Sequence, residues 1–346
     1  MSQTTDSHLE NAINDVLQPH LSLRWQDRER LAAVCAAVLL AGSCRETAVA
    51  KWIQKPTQQT SRVVFFRRFL SSPLFSQEAV YQPLLRQALA GYQAACWHIV
   101  IDRSPLQAKV SDLLMVSLNF RKRAIPLAWQ IVKHGSTTTT TQIELLQRLE
   151  SIIPASKWVI IHGDTEFSSV RLMQFIRQHP SWDFLLAQTN QGYYQFGDWQ
   201  WHPLADLPVR RQQPIYLADI FWTKQHIYGP INLFAFYKPR RKNDYAKLYE
   251  YRYITTSLPI APTLRRLGQR RWGIEPMFRD YKSAGWQLDR SALTDPERQV
   301  NLLLILSINY LWATATGRWL VKCGRRSEID AKKSVITVIF VLVGIG

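Results

Sequence analysis

Two short, fully apolar runs that each lead into an aspartate constrain the fold of this chain more than any other feature. His98-Ile99-Val100-Ile101 leads directly into Asp102, and Trp158-Val159-Ile160-Ile161 leads into His162-Gly163-Asp164. Short apolar runs of this length are typical of strands buried on both faces of a sheet. Two such strands, side by side, bring their terminal acids to the same edge of the sheet.

The elements around these strands predict an α/β protein. Two β-rich runs joined by a turn, Val110 to Leu118 and Ala124 to Val132, predict a hairpin. Helical patterns cover Gln142 to Ile153 and Ser168 to His179, and Asp183 to Thr189 reads as a further strand. Residues 93–189 therefore predict the first part of a mixed sheet flanked by helices.

The pattern on either side of this segment is different. Residues 190–257 lack helical periodicity and contain short aromatic β runs, which predicts a β-rich insertion. Residues 1–92 read as helices, and three short ones with a basic last member favour a helix-turn-helix DNA-binding domain, although other small helical bundles fit as well. Residues 258–346 predict a helix around Glu275 followed by a long apolar helix from Pro296 to Leu320.

The segment around Glu275 carries one acid and two bases at helical spacing. On an α-helix, Arg271 and Lys282 return to within about 40° of the face of Glu275, so the three form one stripe. Pro276 disfavours helix at Glu275 and is able to kink it. The alternative is a solvated amphipathic helix stabilised by a Glu275/Arg279 pair.

The charge of the chain favours a polyanion as partner. Lysine and arginine number 43 against 26 acidic residues, for a net charge of +17. The four cysteines have neither paired spacing nor nearby histidines, which excludes a zinc site or a disulfide framework and indicates a reducing cytosol. We expect no signal peptide and no membrane span, because the apolar run 334–346 is shorter than the ~20 residues that a spanning helix needs.

Three acids on different elements are able to converge at one point: Asp102, Asp164 and Glu275. Three carboxylates cannot crowd together without cations, and hard oxygen ligands suit Mg²⁺. Two such ions ~3.5–4 Å apart support phosphodiester displacement. Asp102 and Asp164 also fit simple roles as turn-capping or strand-end residues, Glu166 is a lesser competing ligand, and Asp112 is expected to face solvent.

The ordered set of these blocks resembles the DDE transposases of the insertion-sequence-four family, which have a ribonuclease-H-like catalytic core. The blocks are Ile101 to Leu106, Arg123 to Trp129, His162 to Phe167, and Arg271 to Glu275 with Lys282. The arginine, glutamate and lysine of the family's third block match Arg271, Glu275 and Lys282, whereas its tyrosine falls on Gly268. The resemblance covers about residues 95–320.

The resemblance implies a cut-and-paste reaction on double-stranded DNA: cleavage at terminal inverted repeats, a hairpin at the element end, and strand transfer. It implies that the three acids bind two Mg²⁺ ions, with Mn²⁺ as a substitute, that Arg271 and Lys282 hold phosphate, and that a homodimer acts in the cytoplasm, at the nucleoid. Trp222 is a candidate for stacking an extruded base, or a sheet-core tryptophan. Further candidate phosphate contacts, or else solvated loop residues, are Lys238, Arg240, Arg241 and Lys242.

Two other functions remain open from the sequence. One is a metal-dependent nuclease with the same core and no strand transfer. The other is a catalytically inactive DNA-binding repressor derived from a transposase, which the departure at Gly268 favours and the presence of all three acids disfavours.

Overall fold

A ten-stranded mixed sheet runs through the middle of the protein. The computed structural model describes residues 2–120, 123–210, 213–239, 249–283 and 285–326. The apolar runs that predict strands lie within it, and their consecutive buried residues show that these strands are covered on both faces of the sheet. The strands are β1 Cys96–Gln107, β2 Ser111–Phe120, β3 Arg123–Lys133, β4 Trp158–Gly163, β5 Trp182–Gln188, β6 Tyr193–Gln195, β7 Trp201–Pro203, β8 Ile215–Trp222, β9 Tyr228–Pro239 and β10 Tyr249–Thr256.

The first five strands have the topology of a ribonuclease-H-like core. Their order in the sheet is β3-β2-β1-β4-β5. The β2 strand is antiparallel to β1 and β3, whereas β1, β4 and β5 are parallel to one another. The predicted α/β fold, a mixed sheet flanked by helices, is confirmed.

The β-rich region of residues 190–257 continues the same sheet. The β10 strand pairs antiparallel with β5, and β9, β8, β6 and β7 follow outward in that order. The sequence predicts these strands but not this pairing, because β5 and β10 lie far apart along the chain. The strands that we expected to form an insertion therefore widen the central sheet.

Ten α-helices lie in the described part of the chain. Three short 3₁₀ segments matter below: Arg148–Ser151 after α6, Thr165–Phe167 after β4, and Gln269–Gly273 before α9. The helices are α1 Ser2–Leu17, α2 Trp25–Ala41, α3 Glu46–Ala50, α4 Gln59–Leu70, α5 Gln82–Ala90, α6 Thr139–Gln147, α7 Val170–Arg177, α8 Leu264–Gly268, α9 Ile274–Tyr281 and α10 Pro296–Lys322.

The long helix α10 joins the N-terminal helices to the sheet. The side chain of Asn309 donates to the carbonyl of Cys35 in α2 at 3.1 Å, and that of Asn301 donates to the carbonyl of Leu70 in α4 at 2.8 Å. Buried residues of α2, α4, α10 and the sheet form one continuous hydrophobic core. By length and composition α10 is the one described helix able to cross a bilayer, but 61% of its apolar window is buried inside the protein.

The connection between α3 and α4 differs from that of a helix-turn-helix motif. Residues 51–58 separate the two helices, whereas the motif has a turn of about 3–4 residues. Within α4, Arg67 forms an ion pair with Glu46 of α3 at 2.6 Å, and Arg68 is exposed. The basic helix exists as the sequence predicts, but with a longer connection.

Candidate active site

Asp102 lies in β1, and Asp164 follows directly after the adjacent parallel strand β4. The last pair in the β1–β4 ladder is Val100 with His162. Two residues further along the chain in each case are Asp102 and Asp164, the residue after the end of β4 at Gly163. The sequence prediction that both acids lie at one edge of the sheet therefore agrees with the observed register.

The carboxylate of Asp102 is largely buried and carries an unfavourable charge. Its side chain is 13% exposed. Burial raises the pKa of Asp102 to about 6, Arg271 acts against this shift, and the nearby charges of Asp164 and Glu275 add to it. The backbone N–H of Arg103 donates to Oδ1 of Asp102 at 2.9 Å and also favours the charged form. The charges of the other two predicted acids thus both act on Asp102.

Asp164 caps the 3₁₀ turn that follows β4. Its Oδ1 accepts a hydrogen bond from the backbone N–H of Glu166 at 3.0 Å, which fixes the carboxylate relative to the turn. Glu166 points to a different set of partners, Arg103 and Thr137. Glu166 is therefore engaged elsewhere and does not compete with Asp164 for the same place.

Glu275 stands in the first turn of α9, but the predicted continuous stripe is wrong. A 3₁₀ segment containing Arg271 precedes α9, and the helix ends at Tyr281, so that Lys282 has a non-helical backbone. Pro276 occupies the first turn of α9, where a missing N–H costs nothing, so it starts this helix instead of kinking a longer one. Arg271 therefore lies in a 3₁₀ segment, Glu275 in an α-helix and Lys282 just beyond the end of that helix.

Arg271 nevertheless lies between two of the acids. One guanidinium nitrogen is 3.6 Å from Oδ2 of Asp102, and the other is 3.8 Å from Oε1 of Glu275. The side chain of Glu275 is 60% exposed, whereas that of Arg271 is 19% exposed. A single cation therefore bridges the sheet-borne and the helix-borne carboxylates.

Lys282 reaches the same edge of the sheet from the far end of α9. Its Nζ donates to Oγ of Ser104 at 2.6 Å, and Ser104 lies two residues after Asp102, on the same face of β1. Burial lowers the pKa of Lys282, and the charges of Asp289 and Asp112 oppose this shift. The two bases of the predicted block are thus brought to the cluster although they do not share one helix.

The donor set of the cluster suits a hard divalent cation, but its arrangement is not that of a closed metal site. Three carboxylates supply the oxygen ligands that Mg²⁺ prefers. Among the residues that the structure describes, no group of three histidine, cysteine, aspartate or glutamate side chains is close enough to hold one ion. Arg271 lies between Asp102 and Glu275, so these two acids would share a metal ion only in a conformation in which its guanidinium stands elsewhere.

The segment before the helix that carries Glu275 lies close against the β2–β3 hairpin. A Cβ atom on Gly273 would overlap the side-chain Nδ2 of Asn119 and lie 3.2 Å from the carbonyl of Arg123. Asn119 also donates to the carbonyl of Arg270 at 2.6 Å. At the other end of α9, Arg123 pairs with the buried carboxylate of Asp280. These contacts set where Glu275 stands.

A comparison with protein-family models decides the family. The model described as the transposase DDE domain matches residues 111–312, which is more than half of the chain. The chain belongs to the transposase DDE-domain family. The matched range includes Asp164, Arg271, Glu275 and Lys282, and it begins shortly after Asp102.

Two further comparisons add little to this assignment. A search of curated proteins finds no match for this transposase. Among solved structures, the piggyBac transposase synaptic complex with hairpin DNA is similar over 99% of this chain and 77% of that chain, with 12% sequence identity and a TM-score of 0.46. DDE transposases act on DNA and use divalent metal ions, and the DNA-cutting class expected from the sequence is confirmed at that level.

Gly268 lines a small cavity between the transposase sheet and the segment before Glu275. The cavity has a volume of about 130 Å³, and His162, Gly163 and Arg271 also line it. A Cβ atom on Gly268 would lie 3.4 Å from Cδ1 of Ile254, an ordinary contact. The position at which the resembling family has tyrosine therefore faces the sheet, and it has room for a larger side chain.

The predicted DNA-contacting residues outside the cluster have different surroundings. Trp222 is 2% exposed and packs its ring on Gly192, so in this conformation it is the sheet-core tryptophan of the alternative interpretation and offers no face to a base. Lys238 lies near the end of β9. Arg240, Arg241 and Lys242 lie outside the described residues.

Sequence reasoning missed several buried polar residues around the site. Asp112, expected to face solvent, is fully buried because it pairs with Arg103 and accepts a hydrogen bond from His134 at 3.0 Å. His98 and His162 lie 3.0 Å apart on the adjacent strands β1 and β4. Burial lowers the pKa of both, that of His98 to about 4, so both rings are neutral near pH 7. Local sequence patterns carry no signal for such long-range pairs.

Proposed function

We propose that this protein is a cut-and-paste transposase of the insertion-sequence-four type. It cleaves the terminal inverted repeats of its own element, passes through a hairpin at each element end, and joins the freed ends to target DNA. The observation that carries the proposal is the bridging position of Arg271 between Asp102 and Glu275, at 3.6 and 3.8 Å, with the charge of Asp164 also acting on Asp102. Acids from one strand, from the turn after its neighbour and from one helix gather there in a chain of the transposase family.

In this proposal Asp102, Asp164 and Glu275 hold two divalent cations, Mg²⁺ or Mn²⁺. The cations, when bound, help to activate a water or a 3′-hydroxyl and to stabilise the leaving oxygen. The high pKa of Asp102 supports such a role, because a carboxylate that is costly to ionise in isolation gains most from a nearby positive charge. Below about pH 6, protons compete for Asp102 and weaken the site.

Arg271 and Lys282 hold the scissile phosphate in this proposal. In the described conformation Arg271 offsets the repulsion between two carboxylates, and a cation placed between those acids would take over that task. The guanidinium is then available to donate to phosphate oxygens, for which its fork geometry is well suited. Lys282, held by Ser104, supplies a second positive charge on the same edge of the sheet.

The remaining contacts with DNA are electrostatic. The net charge of +17 favours binding to duplex DNA whose affinity falls as salt rises. Lys238, Arg240, Arg241 and Lys242 are the candidates for contacts with backbone phosphate. A dimer brings two element ends together, and each protomer contributes one set of acids.

The proposed hairpin step needs an aromatic ring to receive an extruded base. Trp222 is able to fill this role only if the edge of the sheet opens, because its ring is buried. Trp199, in the same outer part of the sheet, is 76% exposed and lies stacked near Phe221. Substituting each tryptophan by alanine separates the two candidates by their effect on hairpin formation.

The test is cleavage of linear DNA that carries the sequences flanking this gene, followed on a denaturing gel in Mg²⁺. We expect the wild-type protein to nick at the repeat boundary and to convert the nick into a hairpin. Glu275→Gln should lower the cleavage rate at least about 1,000-fold, since it removes a ligand charge from the site. Glu144→Gln, the same change on the exposed surface of α6, is the matched control.

The same gel distinguishes the alternatives. Nicking without hairpin or joined product would identify a nuclease that lacks strand transfer. Binding of the repeats by wild type and by Glu275→Gln alike, with no cut in Mg²⁺ or Mn²⁺, would identify a DNA-binding repressor and contradict the proposal.

A further inference from the structure

Arg103 lies behind the carboxylate cluster, on the opposite face of β1 from Asp102. Successive side chains of a strand point to opposite faces, and the contacts agree with this. Asp102 faces Arg271, whereas Nε of Arg103 donates to both carboxylate oxygens of Glu166, at 3.0 and 2.8 Å. Arg103 therefore does not reach the space in which a substrate would lie.

The guanidinium of Arg103 also pairs with Asp112 at the start of β2. Asp112 is fully buried and accepts further hydrogen bonds from Nδ1 of His134, at 3.0 Å, and from the backbone N–H of Gly135, at 3.2 Å. Burial raises the pKa of Asp112, but the hydrogen bonds from His134, Gly135 and Arg103 outweigh it, and the resulting pKa lies below the ordinary value. The carboxylate is therefore a charged and firmly held partner.

Glu166 is held just as firmly on the other side of Arg103. Its Oε1 accepts hydrogen bonds from the backbone N–H of Thr137, at 2.9 Å, and from the hydroxyl of Thr137, at 2.7 Å. The hydroxyl of Thr137 in turn accepts from the side chain of Gln142 in α6 at 3.0 Å. Arg103 thus connects β1, the start of β2, the turn after β4 and the loop before α6.

The backbone of this network holds the two aspartates directly. The N–H of Arg103 donates to Oδ1 of Asp102 at 2.9 Å, and the N–H of Glu166 donates to Oδ1 of Asp164 at 3.0 Å. The side chains of these same two residues are joined by the contact from Nε of Arg103 described above. One ion pair therefore connects the two backbone groups that orient Asp102 and Asp164.

We propose that Arg103 is a positioning residue: its ion pairs with Glu166 and Asp112 set the separation of the Asp102 and Asp164 carboxylates and thereby the affinity of this pair for a divalent cation. The proposal rests on the function proposed above, in which these two aspartates are metal ligands. Groups that orient metal ligands from behind typically contribute about 10–100-fold in metal affinity.

The geometry of the Arg103 contacts makes it possible to test whether this residue positions the aspartates or only neutralises the charges of Glu166 and Asp112. A lysine at position 103 keeps the positive charge, but a single ammonium group cannot reproduce the fork that joins Glu166 and Asp112 together. Arg103→Lys should therefore leave the protein folded and change the spacing of the aspartates. Glu166→Gln removes the other half of the same link and keeps the shape of the side chain.

The experiment is a Mn²⁺ titration of the full-length protein, followed by electron paramagnetic resonance. Arg103→Lys and Glu166→Gln should each weaken Mn²⁺ binding about tenfold or more. The double variant should bind no more weakly than the worse single variant, because both changes break one link. Arg171→Lys, at an exposed arginine that contacts Thr140, should bind Mn²⁺ as the wild type does.

Cleavage kinetics supply the second readout. In Arg103→Lys, the Mg²⁺ concentration for half-maximal cleavage should rise in parallel with the loss of Mn²⁺ affinity, and saturating Mg²⁺ should restore most of the rate. If Arg103→Lys does not fold, as judged by circular dichroism, Glu166→Gln alone tests the same prediction.

Three results would overturn the proposal: unchanged Mn²⁺ affinity in folded Arg103→Lys or Glu166→Gln, additive effects in the double variant, or a wild-type protein that binds no Mn²⁺. Failure of the transposase function is distinguishable from these. A wild-type protein that binds Mn²⁺ with the predicted pattern across the variants, yet never cuts DNA, would retain the positioning role and lose the proposed reaction.

Discussion

The candidate site has a sheet-borne half and a helix-borne half, and the two are stabilised in different ways. Asp102 stands in β1 and Asp164 directly after the adjacent strand β4, each held by a backbone N–H, and Asp102 is largely buried. Glu275 stands on a short helix and its side chain is 60% exposed. The two aspartates are held in place by the fold, and burying the charge of Asp102 lowers the stability of the folded protein. The position of Glu275 depends instead on how α9 packs against the β2–β3 hairpin.

The energetic consequences follow from this difference. Holding a buried carboxylate beside two others disfavours the folded state when no cation is present, as the raised pKa of Asp102 indicates. In the helix-borne half, by contrast, the carboxylate of Glu275 is exposed. Its position depends on the close approach of Gly273 to Asn119. We therefore expect changes in the first half to alter stability, and changes in the second half to alter activity.

Of the two substitutions that test this difference between the halves, Gly273→Ala is expected to have the larger effect. The added Cβ would overlap the side-chain amide of Asn119, which donates to the carbonyl of Arg270, so either this amide turns away and gives up its hydrogen bond or α9 shifts. In both cases the segment that positions Glu275 loses a contact with the hairpin. A displacement of about 1 Å in a reacting group can lower a rate about 100-fold, and we expect a loss of that size in DNA cleavage with only a modest change in unfolding free energy. The measurement is the initial rate of end cleavage.

Gly91→Ala is the control for this change. No atom lies within 4 Å of a Cβ atom placed on Gly91, and its backbone conformation is one that alanine adopts. Cleavage at the wild-type rate by Gly273→Ala would contradict the difference drawn between the two halves. It would mean that activity does not depend on how α9 packs against the hairpin.

A smaller effect, on stability, is expected from Asp102→Asn. The pKa of Asp102 is about 6 in the folded protein against an ordinary value of 3.8, so the unfolded chain loses this proton first and the charged carboxylate destabilises the fold above pH 6. Asparagine removes this penalty. After allowance for the lost contact with Arg271, we expect a gain of about 2 kcal/mol at pH 8 and almost none at pH 4.

Urea unfolding at the two pH values, in the presence of a chelator, measures this gain. Asp206→Asn, at an exposed carboxylate, should leave the stability unchanged at both. An Asp102→Asn protein that is less stable than the wild type at pH 8 would show that the sheet-borne half is not under electrostatic strain.

The sheet-borne half was also the more predictable of the two from sequence. Apolar runs ending in Asp102 and in Asp164 suffice to predict two buried strands, because the signal is local. The hairpin of β2 and β3 was predicted for the same reason. The segment around Glu275 was predicted as one helix, and the actual change from a 3₁₀ segment to α9 depends on the hairpin against which it packs.

Contacts between residues that are distant in the chain cannot be predicted from local sequence patterns. Arg103 and Glu166, Arg123 and Asp280, and the strands β5 and β10 meet only because the whole fold brings them together. Asp112 was misread because an acid at the start of a strand ordinarily faces water, and its burial is tolerated only through Arg103 and His134.

The central claim is that Glu275 completes a metal site with the sheet-borne pair. Calorimetric titration of Mn²⁺ into the wild-type protein and into Glu275→Gln, with Glu144→Gln as control, tests it most directly. We predict that wild type and Glu144→Gln bind two ions, and that Glu275→Gln loses one ion or at least about tenfold in affinity. Identical binding curves for all three proteins would contradict it.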